Sequence, residues 1–136
     1  MTYPQEAPYI YGDVEAAAIR WLRNRDETDG ISFGTETPAN LDQVLPFVTL
    51  ERIPGGARGK VTDDARVDIE SRAATREEAH DAIQIVLGLM EVMYQYEHIG
   101  MIIYRVDIET SPGWLPDPVT NQPRWIATVL IRNRPK

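Results

Sequence analysis

Residues 46–93 constrain the fold of this chain more than any other part of the sequence. They run through FVTLERI, a loop PGGARGKVTDD, the segment ARVDIESRA and finally TREEAHDAIQIVLGLMEVM. The first and third of these segments alternate between apolar and polar residues, which is typical of half-buried strands. The order therefore predicts strand, loop, strand and helix, and no catalytic cluster lies within it.

The helix at the end of this stretch has the clearest start signal in the chain. Thr75 and Glu78 form a capping box, with Thr75 at the N-cap position and Glu78 at the third helical position. Apolar residues follow at helical spacing, and we expect them to face the core: Ala79, Ala82, Ile83, Val86, Leu87, Met90, Met93 and Tyr94. Gly88 interrupts the helix, and we expect a strand to pack closely on it.

The rest of the chain adds one more helix and three more strands. Asp13 is an N-cap candidate for a helix over residues 13–25, whose apolar residues share one face. Strands are predicted at residues 31–36, 101–110 and 124–132, with Ile126, Thr128 and Leu130 on the apolar side of the last. Residues 1–12 read as an extended N-terminal arm. We therefore predict a single α+β domain over residues 1–136, with a mostly antiparallel sheet of four to five strands, two helices on one face and a long β-hairpin loop at 54–64.

Composition limits the classes of function that the chain can serve. It has no Cys, so disulfides and thiolate chemistry are excluded. The net charge is −7, which disfavours tight binding to nucleic acid because phosphate contacts require a basic surface. The N-terminal residues lack the pattern of a signal peptide and the apolar runs are too short to span a bilayer, so we expect no membrane association and assembly in a cytosol.

No motif in the sequence predicts an enzyme, a cofactor or a metal site. The segment from Gly55 to Lys60 departs from a phosphate-binding loop, because Val61 replaces the required Ser or Thr and a strand follows in place of a helix. Asp63 and Asp64, with Asp68 and Glu70, could collect a hard cation, but the pattern favours a solvated acidic edge. The chain has two His, and neither has a second ligand at a recognisable spacing.

Two tryptophans flank a proline-rich link between the last two predicted strands. Trp114 and Trp125 stand on either side of it. Aromatic side chains in such places can anchor a binding partner. The alternative interpretation is that the rings cap the core at the end of the sheet, and the sequence leaves both open.

Four segments together resemble the tail-terminator proteins of long-tailed bacteriophages. They are DVEAAAIRWLR, PFVTLERIPGG, ARVDIESRA with the helix TREEAHDAIQIVLGLM, and PRWIATVLIRNRP. The resemblance covers most of the chain. It implies a structural virion protein that is not an enzyme, located at the head-to-tail junction of the tail and assembled in the host cytoplasm.

The resemblance also implies partners and a binding mode. In that family, a ring of six copies caps the tail tube, stops its polymerisation and offers a surface to the head, while DNA passes through the lumen without specific binding. Its partners here would be further copies of the chain, the major tail tube protein and a head-completion or connector protein. The residues then expected at interfaces are Arg52, Gly55, Gly56, Arg58, Lys60, Arg66, Asp68, Glu70, Arg72 and Trp114.

Two alternatives to the tail-terminator function stay open at this point. Strand-strand-helix segments with Gly-Gly loops also occur in head-completion or stopper proteins of the head-tail connector. A small soluble ligand-binding or regulatory α+β domain belongs to a different class. The mass of the assembled protein separates these classes, because a regulatory domain should stay monomeric or dimeric.

Overall fold

The computed structural model of the chain describes residues 8, 10–59, 61–94, 96–98 and 100–135. It has two α-helices, α1 (Val14–Arg23) and α2 (Arg76–Glu91), and two short 3₁₀ helices, Asp26–Thr28 and Leu41–Gln43. The strands are β1 (Ser32–Gly34), β2 (Phe47–Arg52), β3 (Ala57–Arg58), β4 (Asp63–Arg72), β5 (Tyr96–His98), β6 (Met101–Trp114) and β7 (Arg124–Pro135). The predicted α+β class with two helices is confirmed.

The sheet differs from the prediction in both strand number and direction. The described residues form one seven-stranded sheet in the order β1-β2-β4-β7-β6-β5, with β3 paired to the start of β4. β1 runs parallel to β2, so the sheet is mixed, and the prediction of a mostly antiparallel sheet of four to five strands is wrong. β3 and β5 escaped prediction because they have only two and three residues, too few to show an alternating pattern.

Both helices begin where their sequences predict. Asp13 accepts a hydrogen bond from the Ala16 amide at 3.0 Å, and Thr75 accepts one from the Glu78 amide at 3.2 Å. These side chains satisfy amides that the first turn of a helix leaves without partners. No helix in the described part of the chain is long and apolar enough to cross a membrane.

The two helices pack on the same side of the sheet, which we call the helix face. The core there joins apolar residues of α1 and α2 to alternate residues of the central strands, such as Val67 on β4 and Val129 on β7. In β7 the core residues are Ala127, Val129 and Ile131, so the predicted phase, with Ile126, Thr128 and Leu130 inward, is wrong by one residue. The run WIATVLI is apolar on both faces, and alternation therefore could not decide its phase.

The predicted long β-hairpin loop at residues 54–64 contains a short strand pair, formed by β3 and the start of β4. Ile53 donates to the Arg66 carbonyl at 2.9 Å, and Ala57 pairs with Asp64, so the three residues 54–56 bulge opposite Ala65. Gly56 has a φ of +75°, and a Cβ there would collide with the backbone carbonyl of Asp64. The glycines therefore form a bulge that lets the strand continue, which an alternation pattern cannot reveal.

The N-terminal arm is only partly described. Residues 1–7 and Tyr9 lie outside the described residues, and so does Lys60 in the hairpin. The Tyr11 hydroxyl donates to the Gly59 carbonyl at 2.7 Å, which ties the end of the arm to the β3–β4 hairpin of its own chain.

Gly88 does not have the predicted role in α2. It is exposed, and a Cβ added there would meet no atom within 4 Å among the described residues. The expectation that a strand packs closely on Gly88 is therefore wrong.

Candidate interface on the outer face of the sheet

The face of the sheet opposite the two α-helices carries four of the ten predicted interface residues. We call it the outer face. On β4 it presents Asp64, Arg66, Asp68, Glu70 and Arg72, and on β7 it presents Arg124, Ile126, Thr128, Leu130 and Arg132. Four of the predicted residues, Arg66, Asp68, Glu70 and Arg72, thus lie in one row because every second residue of a strand points to the same side.

The middle of the outer face is held by polar contacts between neighbouring strands. Arg66 binds Glu109 on β6 through two hydrogen bonds, Nη2 to Oε1 at 2.6 Å and Nε to Oε2 at 2.9 Å. The Thr128 hydroxyl donates to Asp68 at 2.8 Å, and Arg132 lies 3.3 Å from Asp64. Each charge of β4 named here therefore has a partner on a different strand of the same chain.

A more buried charge cluster lies at the end of the outer face next to the β6–β7 connection. The Arg72 guanidinium lies 3.0 Å from Glu70 and 3.7 Å from Asp117, and Arg124 lies 3.3 Å from Glu70. The side chain of Arg72 is only 6% exposed, against 31% for Glu70. Two arginines and two carboxylates thus neutralise each other in a site largely closed to water.

Asp117 links this cluster to the turn that connects β6 and β7. Its Oδ1 accepts hydrogen bonds from the amides of Val119 at 2.9 Å and Thr120 at 3.2 Å. These amides, helped by the nearby charges of Arg124 and Arg72, lower the pKa of the Asp117 carboxyl from its ordinary value. The carboxylate is therefore held ionised where it orders the turn.

Arg52 lies apart from the other predicted charges, on the helix face. Its two Nη atoms donate to the carboxylate of Asp63 at 2.8 and 2.9 Å, and the Asp63 side chain is 2% exposed. The prediction named Arg52 as an interface residue together with the β4 charges. The structure separates them because Arg52 is opposite Val67, whose side chain points to the core.

The predicted glycine-rich contact residues lie in the β3–β4 hairpin. Gly55 and Gly56 form the bulge, and a Cβ at Gly55 would meet the guanidinium of Arg66. The Arg58 guanidinium lies 4.8 Å from the centre of the Tyr11 ring. The hairpin is thus fastened to the outer face on one side and to the N-terminal segment on the other.

Trp114 lies on the helix face, in a cluster at the N-terminal end of α2. Its ring centre is 6.0 Å from that of Trp125, and the Arg76 guanidinium lies 4.6 Å from the Trp114 ring. Trp125 donates from its ring nitrogen to the Arg76 carbonyl at 3.2 Å and makes an edge contact with His80 at 4.9 Å. This arrangement matches the interpretation that the rings cap the core at the end of the sheet.

The acidic residues of β4 do not converge on a cation. Asp63 points to the helix face and pairs with Arg52, whereas Asp64 and Asp68 point to the outer face. Within the described ranges, no three His, Asp or Glu side chains form a group that could hold a metal ion. What the outer face can do is present fixed charges of both signs to another surface.

Sequence reasoning missed the residues that β6, β7 and the turn between them contribute to the outer face. Glu109, Asp117 and Arg124 pair with the predicted row, and Ile126 and Leu130 add apolar surface within it. The available signal was the continuous apolar run of β7, which indicates a central strand with neighbours on both sides and some cover on both faces.

Comparison with known proteins identifies no family for this chain. No protein-family model matches the chain, and no curated protein matches it either.

Proposed function

We propose that this chain is a structural virion protein that forms a ring on the end of a phage tail tube, ends tube polymerisation and provides the surface for joining the head. The observation that carries the proposal is the outer face: a broad sheet surface that neither α-helix covers, bearing fixed charges of both signs with Ile126 and Leu130 between them. A surface of this kind suits recognition by shape and charge.

The segments on which the tail-terminator resemblance rests support the proposal further. They correspond to α1, to β2 with its bulge, to β4 followed by α2, and to β7. These elements supply most of the core, and β4 and β7 form the centre of the outer face. The similarity therefore falls on the parts of the chain that build the proposed binding surface.

The internal ion pairs of the outer face favour binding to a large partner. Arg66 is fixed by two hydrogen bonds to Glu109, and Arg72 is buried between two carboxylates. Side chains that are already ordered lose less conformational entropy when a second surface docks on them. The assembled ring would then present this face to its large partners, with the β3–β4 hairpin directed towards the tail tube protein.

The charge of the chain is compatible with a DNA channel through such a ring. A net charge of −7 repels the phosphate backbone, so DNA would pass through the lumen without binding tightly. The further partners in this proposal are the tail tube protein and a head-completion or connector protein.

Electron microscopy of the purified protein mixed with tail tubes of defined length tests the proposal. We expect rings seated at one end of each tube and no elongation when more tube protein is added. The control is the same mixture with tubes alone, which should elongate.

Other outcomes would replace the proposal. Binding to DNA-filled heads but not to tubes would make the chain a head-completion protein. A protein that stays monomeric or dimeric and binds neither heads nor tubes would instead belong to the class of small ligand-binding or regulatory domains.

A further inference from the structure

Gly88 lies in α2 at a position where neither a close contact nor a positive φ requires a glycine among the described residues. It lies inside the helix, is exposed, and has open space where a Cβ would be. Glycine destabilises a helix interior by about 1 kcal/mol relative to alanine. A glycine at such a site suits a surface that another backbone approaches closely.

Two exposed apolar side chains flank Gly88 on the same side of the helix. Ile85 is 38% exposed and Val92 is 54% exposed. Residues three and four positions apart share a helix face, so Ile85, Gly88 and Val92 form one stripe. With a glycine between two apolar side chains, the stripe can admit a closely packed partner.

Acidic residues surround this stripe. Glu78, Asp81 and Glu91 are exposed on α2, and neither the Glu78 nor the Glu91 side chain has an ion pair among the described residues. Glu27 and Asp29 line a groove of about 280 Å³ beside Ile85. We call Ile85, Gly88 and Val92, together with the carboxylates of α2, the α2 patch; its partner should be apolar with a basic rim.

A surface of that description lies on α1, next to the end of β1. A groove of about 580 Å³ is lined by Ala16 and Ile19; its charged lining residues are Arg20, Arg23 and Asp13, whose carboxylate caps α1. Arg23 donates to the Phe33 carbonyl at 2.8 Å, whereas the exposed Arg20 side chain has no ion pair or hydrogen bond within the described ranges. We call this groove the α1 groove.

We infer that the α2 patch of one copy of this chain docks in the α1 groove of the next copy. The Ile85 and Val92 side chains enter the groove, Gly88 permits close approach to α1, and the carboxylates of α2 face Arg20 and Arg23. The inference rests on the proposed ring and names the contact between neighbouring copies that closes the ring.

The position of the two surfaces makes this contact one between copies. The α1 groove opens between α1 and the β1 end of the sheet, while α2 packs over β4, β6 and β7. A chain cannot bring its own two surfaces together, since both helices are fixed on the same core. A contact between two different patches is heterologous, the kind that builds rings.

Charge reversal of either surface tests the inference. The variants are Arg20→Glu and Glu91→Arg, and Arg134→Glu on β7 is the matched control for Arg20→Glu because it makes the same charge change at another exposed site. Native mass spectrometry and sedimentation velocity, with and without tail tubes, should show association at least about tenfold weaker for the first two variants and unchanged for the control. Thermal melting followed by circular dichroism checks that each variant folds.

Mixing the two variants gives a sharper result. Arg20→Glu retains a normal α2 patch, and Glu91→Arg retains a normal α1 groove, so one correct contact can form between them. The other contact between them pairs the two reversed charges, which are again opposite in sign, so we expect rings in which the two variants alternate, although neither variant forms rings alone. The chain that carries both substitutions should form rings again, because both surfaces have then exchanged sign.

The outcomes separate this inference from the proposed function. If the natural chain forms rings and folded Arg20→Glu forms them equally well, the inference is wrong and the proposed function stands. If mixed variants fail to pair, the head-to-tail contact between these two surfaces is also wrong. If the natural chain never associates, with or without tubes, the proposed function fails and the inference fails with it.

Discussion

The outer face of the sheet and the exposed surface of the helix layer are both rich in charged side chains, but these side chains are paired within the chain to different extents. On the outer face, Arg66 and Arg72 are bound to carboxylates of their own chain. On the helix layer, the side chains of Arg20, Glu78 and Glu91 have no such partners among the described residues. Alternating charge in a strand is therefore as much a sign of cross-strand pairing as of a binding surface.

This difference predicts unequal costs for removing an arginine from the two regions. Arg72→Ala should lower the free energy of unfolding by roughly 3 kcal/mol, because it breaks a buried ion-pair cluster. Arg20→Ala should change it by less than about 0.5 kcal/mol, as is usual for an exposed side chain. Urea denaturation of the dissociated subunit measures both, and similar losses for the two variants would contradict the comparison.

Glycines in the two regions should respond in opposite directions. Gly56→Ala in the hairpin should destabilise the fold by about 1–3 kcal/mol, since a positive φ and the Asp64 carbonyl both oppose a Cβ. Gly59→Ala in the same hairpin is the control: its φ is not in the left-handed region, and the nearest atom to its Cβ would be 3.3 Å away. A smaller loss for Gly56→Ala than for Gly59→Ala would show that the bulge is not strained as described.

Gly88→Ala on α2 should instead stabilise the isolated subunit by up to about 1 kcal/mol, because alanine is the better helix former and the site is open. Thermal unfolding at concentrations where the subunit is dissociated measures this gain. The same variant should weaken the assembly, since the added methyl group lies in the proposed contact. A loss of subunit stability would mean that Gly88 serves the fold itself.

The smallest expected effect is the pH dependence that Asp117 gives to the free energy of unfolding. The folded pKa of Asp117 is lowered, so its stabilising contribution is complete above the unfolded value of 3.8 and is lost as pH falls through the folded value. The stability difference between the natural chain and Asp117→Asn should therefore be largest above about pH 4 and shrink at lower pH. A difference that stays constant across this range would contradict the role given to Asp117.

The fold was predictable to the extent that its signals are local. The cap residues Asp13 and Thr75 marked both helix starts, and alternation located β2 and β4. The bulge at Gly55 and Gly56, the short strands and the phase of β7 were not predictable, because each depends on which strands become neighbours.

The candidate site shows the same division. The row of charges on β4 could be identified from its spacing, but its partners Glu109 and Asp117 are far away in the sequence. Arg52 was expected at an interface together with that row, although strand pairing places it on the other face beside Asp63.

The sequence by itself determined the α+β class, the two helices and the absence of cysteine chemistry, because composition, capping and periodicity act within a few residues. Only the tertiary structure decided which charges are already neutralised. Strand pairing brings Arg66 to Glu109, and the turn between β6 and β7 brings Asp117 to Arg72, while Glu91 and Gly88 stay exposed on α2. Whether a charge remains available to a partner depends on neighbours distant in the chain, and only the folded sheet brings those neighbours together.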